Sequence, residues 1–403
     1  MKAKVILATI LILAASCVKN EVREVSINGD GQILYNPAPL RSMATKADVL
    51  PTKTAFPTNS TFGSCAWYLP GDNKWDDHHA AEKTAAVVPT PYIEPSVISY
   101  DEDSKVWRNK GKTYYWPMNG SLTFISWAPY DLGLGKDAET TFRVTREEGF
   151  TITGWTMENK PGYGIKTQAT AEKRSETDPN VDILLSYTKD CTWNTVNGKV
   201  PTIFSHLLCK VKVVATLAKP LGTVEKPWEI TSVTLSDIYT KGNYSTYETY
   251  VEDGANKIKL SKLWRDQDVL ASYEHKPTTH MSVYYDENGI KGGTVIFPET
   301  LFLPQFLDER EKGNSSTLPM ITIECKNGAG EAKSLKGLLF NKNASSLSVW
   351  NQGRSITYYV TFGEEDTNID FDAKVEDNDW TDIPGDDSGN DFNVGVGEII
   401  NGK

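Results

Sequence analysis

The sequence predicts an all-β protein built as two antiparallel β-sandwich domains, and three observations carry that prediction. Short runs with a period of two recur along the chain, turns rich in glycine, proline and asparagine separate them, and no long amphipathic helix interrupts them. A length of 403 residues is generous for one domain and comfortable for two.

At the N-terminus, Lys2 and Lys4 precede an apolar run over residues 5–15. That run is too short for the roughly twenty residues of a spanning helix, so residues 1–16 read as a signal peptide that is removed. The stretch LAASC, ending at Cys17, resembles the lipobox of bacterial lipoproteins, in which the cysteine is lipidated and becomes the mature N-terminus. Ala14 departs from the leucine usual at that place, and the alternative is an ordinary signal peptide with Cys17 as a bystander. No further stretch has membrane length, so the expected attachment is a tether and not a span.

Beyond Cys17, Val25 and Ile27 mark one short strand and Ile33 and Tyr35 a second, with the turn NGDG at residues 28–31 between them. Pro37 and Pro39 then favour an extended, exposed segment leading to Arg41.

The first domain is expected over residues 42–220. Residues 120–130 alternate Leu122, Phe124 and Ser126 against Thr123, Ile125 and Trp127, which suits a strand buried on both faces. Residues 142–155 read as strand, turn, strand. In residues 207–215, Leu207, Cys209, Val211 and Val213 share one face while Lys210 and Lys212 take the other. A Pro- and Gly-bearing stretch then places the boundary near residues 217–226.

The second domain is expected over residues 221–383. Residues 229–239 alternate Thr231, Val233 and Leu235 against Ile230, Ser232 and Thr234. Asn-Gly and Gly-Gly signals predict a hairpin over residues 280–297, and Asn327-Gly328 a second over residues 320–335. Residues 355–363 put Ile356, Tyr358, Val360 and Phe362 on one face. Residues 384–391 have the composition of a spacer, and the last segment, to residue 403, again has strand phase: Phe392, Val394, Val396 and Ile400 lie on one side and Ile399 on the other.

A net charge of -11 and a mean hydropathy of -0.41 describe an acidic surface that repels nucleic acid, so no nucleic-acid partner is expected. Cys65, Cys191, Cys209 and Cys325 form no C-x-x-C pair and are expected to be buried and mostly free, although four cysteines could pair in three ways.

Catalytic chemistry leaves no constellation. The chain contains no Gly-x-Ser-x-Gly, no His-Glu-x-x-His, no phosphate loop and no dinucleotide fingerprint, so no catalytic residue and no cofactor is assigned. Asp76, Asp77, His78 and His79 carry metal-ligand chemistry, but four neighbours cannot all converge on one ion, and they read as a solvated loop. The aspartates of residues 385–391 lack the distal glutamate of a calcium loop and read as linker; no metal site is assigned. His206 reads as a hydrogen-bonded core or edge residue. Eleven Trp and eighteen Tyr raise a sugar-stacking surface, but most sit inside strand patterns, and the densest cluster, residues 113–120, reads as a strand leading into a turn.

Three blocks, YYWPMNGSLTFISWAPY at residues 114–130, VDILLSY at 181–187 and FSHLLCKVKV at 204–213, resemble in order and spacing the fimbrillin-like family of Bacteroidetes surface lipoproteins, the subunits of type V pili. The closing SITYYVTFG and VEDNDW resemble the family's last strands. The resemblance implies transthyretin-like β-sandwiches and export to the outer membrane as a lipid-anchored precursor. It further implies a trypsin-like cut after an arginine of the N-terminal segment, which removes the first strand and opens a groove for another subunit. On this chain the cut is expected at Arg41, with Arg23 and Lys46 as lesser candidates, so that residues 17–41 leave with the lipid. The donor strand is expected to be Phe392, Val394, Val396 and Ile400, and the partners other pilin subunits of the same or a related chain. The competing reading is a monomeric surface lipoprotein that binds a glycan or another host or bacterial surface ligand; an enzyme comes third.

Overall fold

The structure, a computed structural model, describes residues 31–39, 56–130, 141–157, 161–162, 181–218, 225–246, 249–253, 256–260, 264–285, 293–307, 318–340, 348–362 and 375–379. Among them are twenty-three strands and two single-turn helices, so the protein is all-β as predicted. None of these helices is long and apolar enough to cross a membrane.

Seven strands close on themselves. In ring order they are β1 (Leu34–Pro39), β4 (Val106–Asn109), β3 (Thr90–Asp101), β2 (Thr61–Leu69), β5 (Ser121–Ala128), β8 (Leu184–Cys191) and β9 (Lys199–His206), with β9 returning to β1. Strand β5 sits at the heart of this barrel and is buried along its whole length. Its inward residues Leu122, Phe124 and Ala128 join Phe62, Ala66, Trp107, Val200 and Phe204 in the barrel core. Ile125 and Trp127, on its outer face, enter a different core, which is why neither face of residues 120–130 is polar. Gly63 on β2 faces Trp127 in register, and a Cβ there would lie 2.2 Å from the indole Cε2.

The next sheet runs β17 (Thr294–Phe302), β10 (Cys209–Leu217), β22 (Arg354–Phe362), β23 (Val375–Asp379). It packs on a sheet ordered β15 (Leu270–His275), β11 (Trp228–Tyr239), β19 (Met320–Lys326), β20 (Ala332–Leu338), with β16 (Met281–Val283) also pairing β11. Cys209, Val211, Val213, Ala215 and Leu217 of β10 share a core with Ile230, Val233 and Leu235 of β11 and with Ile356, Tyr358 and Val360 of β22. Lys210 and Lys212, on the other face of β10, reach Glu299 at 3.3 and 3.6 Å. Strand β10 precedes the expected boundary at 217–226, yet among the described residues it pairs with the later strands β17 and β22.

Three expectations need correction. The pairing is not uniformly antiparallel: β1 runs parallel to β9, and β10 parallel to β22. Alternation fixes which face is buried but carries no sign for direction. Residues 280–297 do not make a hairpin, because β16 pairs β11 while β17 pairs β10, so the two runs serve opposite sheets. In β11, Ile230 and Val233 both enter the core, although strict alternation puts them on opposite faces; a bulge between Ile230 and Ser232 resets the phase. The other hairpins form as read: β6 (Thr141–Thr145) pairs β7 (Gly149–Thr156), and β19 pairs β20 across the turn at Asn327.

A third core joins the two halves. Strand β12 (Lys241–Ser245), from the later half, pairs with β7 from the earlier half. Beneath that sheet Trp67, Trp127, Phe150 and Trp155 pack with Tyr244, Trp264, Leu301 and Leu303. The smaller pieces are α1 (Trp75–His78), α2 (Trp193–Val196), the hairpin β13 (Thr249–Asp253) with β14 (Asn256–Leu260), and the pair β18 (Gln305–Phe306) with β21 (Val349–Trp350). Thr192 and Thr195 cap α2 reciprocally, at 3.2 and 2.9 Å.

All four described cysteines are free and buried, as expected from their spacing. Burial pushes the Cys65, Cys191 and Cys325 thiols up, Cys191 to about 12 and Cys325 to about 11, with Asp190 and Glu324 adding to the rise at the last two. Little thiolate exists near neutrality, so the folded chain should react with a disulfide reagent at pH 8 far more slowly than after denaturation, when these thiols become titratable. Gly63→Ala should cost about 1–3 kcal/mol in urea unfolding, because Trp127 has no room to retreat.

Candidate functional site

The site is the first strand of the barrel and the groove that holds it. Gly31, at φ 69°, turns the chain into GQILYNPAP, whose proline and aromatic residues favour extended backbone. Ile33, Tyr35 and Pro37 point inward and are buried, while Asn36 is exposed. The Ile33 and Tyr35 alternation is the one expected; burial of Pro37 is not, since the prolines read as part of an exposed segment.

Main-chain geometry explains why prolines are tolerated here. Successive N–H groups of a strand point to opposite sides. Ile33 N donates to Tyr114 O at 2.8 Å on the β4 side, and Leu34 N donates to Gly198 O at 3.4 Å on the β9 side. Continuing that alternation, Leu34, Asn36 and Ala38 address β9, with which β1 stays in register from Leu34↔Lys199 to Pro39↔Phe204. Pro37 and Pro39 address the β4 side, where pairing reaches only Tyr35↔Trp107. The missing N–H groups therefore fall where no ladder bond is lost.

Tyr35 is the anchor. Its ring meets Phe62 and Phe124 edge-on at 5.8 and 6.0 Å. Burial pushes its phenol well above the ordinary tyrosine range, and Ser64 and Asn109 are the polar side chains that face it. Past Tyr35 the interior is filled from the opposite side: Phe56 packs on Phe204 at 5.2 Å, on Trp107 at 5.4 Å and on Phe62 at 5.5 Å. Pro37 is buried in register with Thr202, two residues before Phe204 on β9. Burying Ile33 and Tyr35 contributes roughly 1.5–3 kcal/mol each.

Topology makes this strand separable. Its sheet neighbours are β4 and β9, and it joins β2, which is not a neighbour, only through the chain of residues 40–60. A cut within residues 40–55 would leave β1 held by hydrogen bonds and packing alone. Strand β10 has the matching position in the second half, antiparallel to one strand and parallel to another, but it is continuous with described chain on its N-terminal side as well.

The other expected site residues are placed as follows. Cys17, Val25, Ile27, Arg23, Arg41, Lys46 and the segment of Phe392, Val394, Val396 and Ile400 lie outside the described residues. Asp76 of α1 pairs with Lys189 at 2.6 Å, Trp75 N donates to Asp190 at 2.9 Å, and His79 stacks on Trp75. Burial, more than the cations Lys189 and Arg146, lowers the His79 pKa below its ordinary value, against the pull of Asp76. Among the described residues no cluster of His, Cys, Asp and Glu could hold a metal ion. His206 lies in the core, 2.6 Å from buried Asp182. In the aromatic cluster Trp116 is buried and donates to Gly198 O at 3.2 Å, which ties it to the β9 side of the groove. A polar groove of about 540 Å³ on the β6, β7, β12 sheet is lined by Arg143, Arg265, Thr151 and Asn243 among others, and its aromatic, Tyr244, is buried.

Sequence reading found two of the three inward residues of β1 and missed the partner strand. The parallel register with residues 199–204 has no local signal, and Phe56, which packs on Phe62, Trp107 and Phe204, stands alone between prolines. Tyr35→Ala should destabilise the uncut chain by about 3–5 kcal/mol, the range for deleting a buried aromatic. Amide exchange of Leu34, Asn36 and Ala38 should then quicken more than that of β11.

A crystallised fimbrial protein from Bacteroides vulgatus ATCC 8482 is similar at 16% identity and a TM-score of 0.51, over 86% of this chain and 99% of that one. A cell adhesion protein from Bacteroides uniformis ATCC 8492 aligns at 12% identity and a TM-score of 0.40, over 87% and 100%. The tip fimbrial protein Mfa3 from Porphyromonas gingivalis, with a C-terminal truncation, aligns at 9% and 0.32, over 80% and 94%. No curated protein matches the chain. The fimbrillin-like family model matches residues 72–380, and the chain belongs to that family.

Proposed function

We propose that this protein is a structural subunit of a cell-surface pilus, exported as a lipoprotein precursor and assembled by strand exchange. It is a fimbrillin-like structural protein, not an enzyme. In this reading Cys17 carries the lipid that tethers the precursor to the outer membrane, and cleavage after Arg41 releases residues 17–41. The tail bearing Phe392, Val394, Val396 and Ile400 inserts into another subunit.

One observation carries the reading: β1 closes the barrel and supplies buried Ile33 and Tyr35 without a sheet neighbour adjacent to it in the chain. Its loss would expose the unpaired side of β9 and an aromatic trough, the surface to which a foreign strand adds. While seated, the strand keeps the precursor from pairing prematurely.

The test is made in cells. Sheared pili should contain this chain starting at Ser42; Arg41→Ala should leave it in the membrane fraction with its N-terminal segment; and deletion of residues 392–403 should halt assembly beyond it. Mature chain that begins at Cys17 within pili would refute the processing step, and normal assembly of the deletion would refute the donor step.

A further inference from the structure

The groove under β1 has a defined order of slots, and the chain's own tail does not match it. The Ile33 slot is apolar. The Tyr35 slot lies between Phe62 and Phe124 and is deep enough for an aromatic ring. The Pro37 slot, in register with buried Thr202 and two residues before Phe204, on which Phe56 packs, is filled by the small ring of a proline.

The inward-phased residues of the tail, from residue 390, are Asn390, Phe392, Val394, Val396, Glu398 and Ile400. With Phe392 in the Tyr35 slot, Asn390 falls into the Ile33 slot if the strand runs as β1 does, and into the Pro37 slot if it runs in reverse. In the Ile33 slot the amide enters the apolar barrel core, and in the Pro37 slot it meets Thr202, whose hydroxyl already donates to Val200 O at 3.2 Å. With Val394 in the Tyr35 slot the amide is spared, but the space between Phe62 and Phe124 is left partly empty. With Val396 there, Glu398 must be buried on one side or the other.

Resting on the strand-exchange reading above, we propose that this acceptor groove selects a strand of the order apolar, x, aromatic, x, small, and so takes its donor from a different subunit and not from a second copy of this chain. The barrel interior then decides neighbour order: the chain donates its tail to one kind of subunit and receives from another.

The test uses the full chain carrying Cys17→Ser, so that no lipid is attached, nicked by limited trypsin and checked by intact mass for a single cut after Arg41. A fluorescent peptide of residues 31–40 is exchanged into the groove, and unlabelled peptides compete for it: residues 31–40, residues 389–403, and residues 389–403 carrying Asn390→Ile. The tail should compete at least about tenfold more weakly than residues 31–40, and Asn390→Ile should recover most of the deficit. A tail that competes as well as residues 31–40 overturns the selection, as does an Asn390→Ile tail no better than the natural one. Should the labelled peptide fail to enter a chain that has lost its N-terminal fragment, strand exchange itself fails, and this inference with it.

Discussion

Closure of the first sheet is the constraint on which the rest of the structure depends. Without β1 the six remaining strands would form an open sheet with two edges, β4 and β9, each a row of unsatisfied main-chain groups. Here a single six-residue strand removes both by lying parallel to β9 and touching β4 at Tyr35. The cost of holding so short a strand in place is offset in part by burying Ile33 and Tyr35 in the aromatic interior and in part by its ladder with β9. The strand that closes the sheet thus also supplies part of its core.

The second half solves the same problem with a built-in strand. There β10 lies between β17 and β22, its inward face fully apolar, and the chain enters it directly from β9. The two halves therefore use equivalently placed strands with different chain connections. In the first, the completing strand is the earliest described strand of the chain; in the second, it follows β9 after two residues and precedes β11.

Much of this was legible in the sequence because burial on one or two faces writes itself into period two. The doubly buried β5, the β6 to β7 and β19 to β20 hairpins, the core face of β10 and the inward Ile33 and Tyr35 all follow from alternation and turn residues. What escaped is what alternation does not encode. Strand direction in the β1 and β10 pairings, the assignment of β16 and β17 to different sheets, and the phase change in β11 come from long-range packing and bulges. The site was half legible for the same reason: inward residues carry a local pattern, while the slot they enter is made by Phe56, Phe62, Phe124 and Phe204, which are scattered along the chain.

The core shared between the halves limits how such genes can be reshuffled. Strand β12 completes a sheet begun by β6 and β7, and Trp264, Leu301 and Leu303 pack against Trp67 and Trp127. A crossover that joined the front of one paralogue to the back of another near residue 220 would have to match this aromatic seam on both sides. Exchange of either half alone would leave this seam mismatched, so the two halves can be varied together or at their surfaces, but not swapped piecemeal.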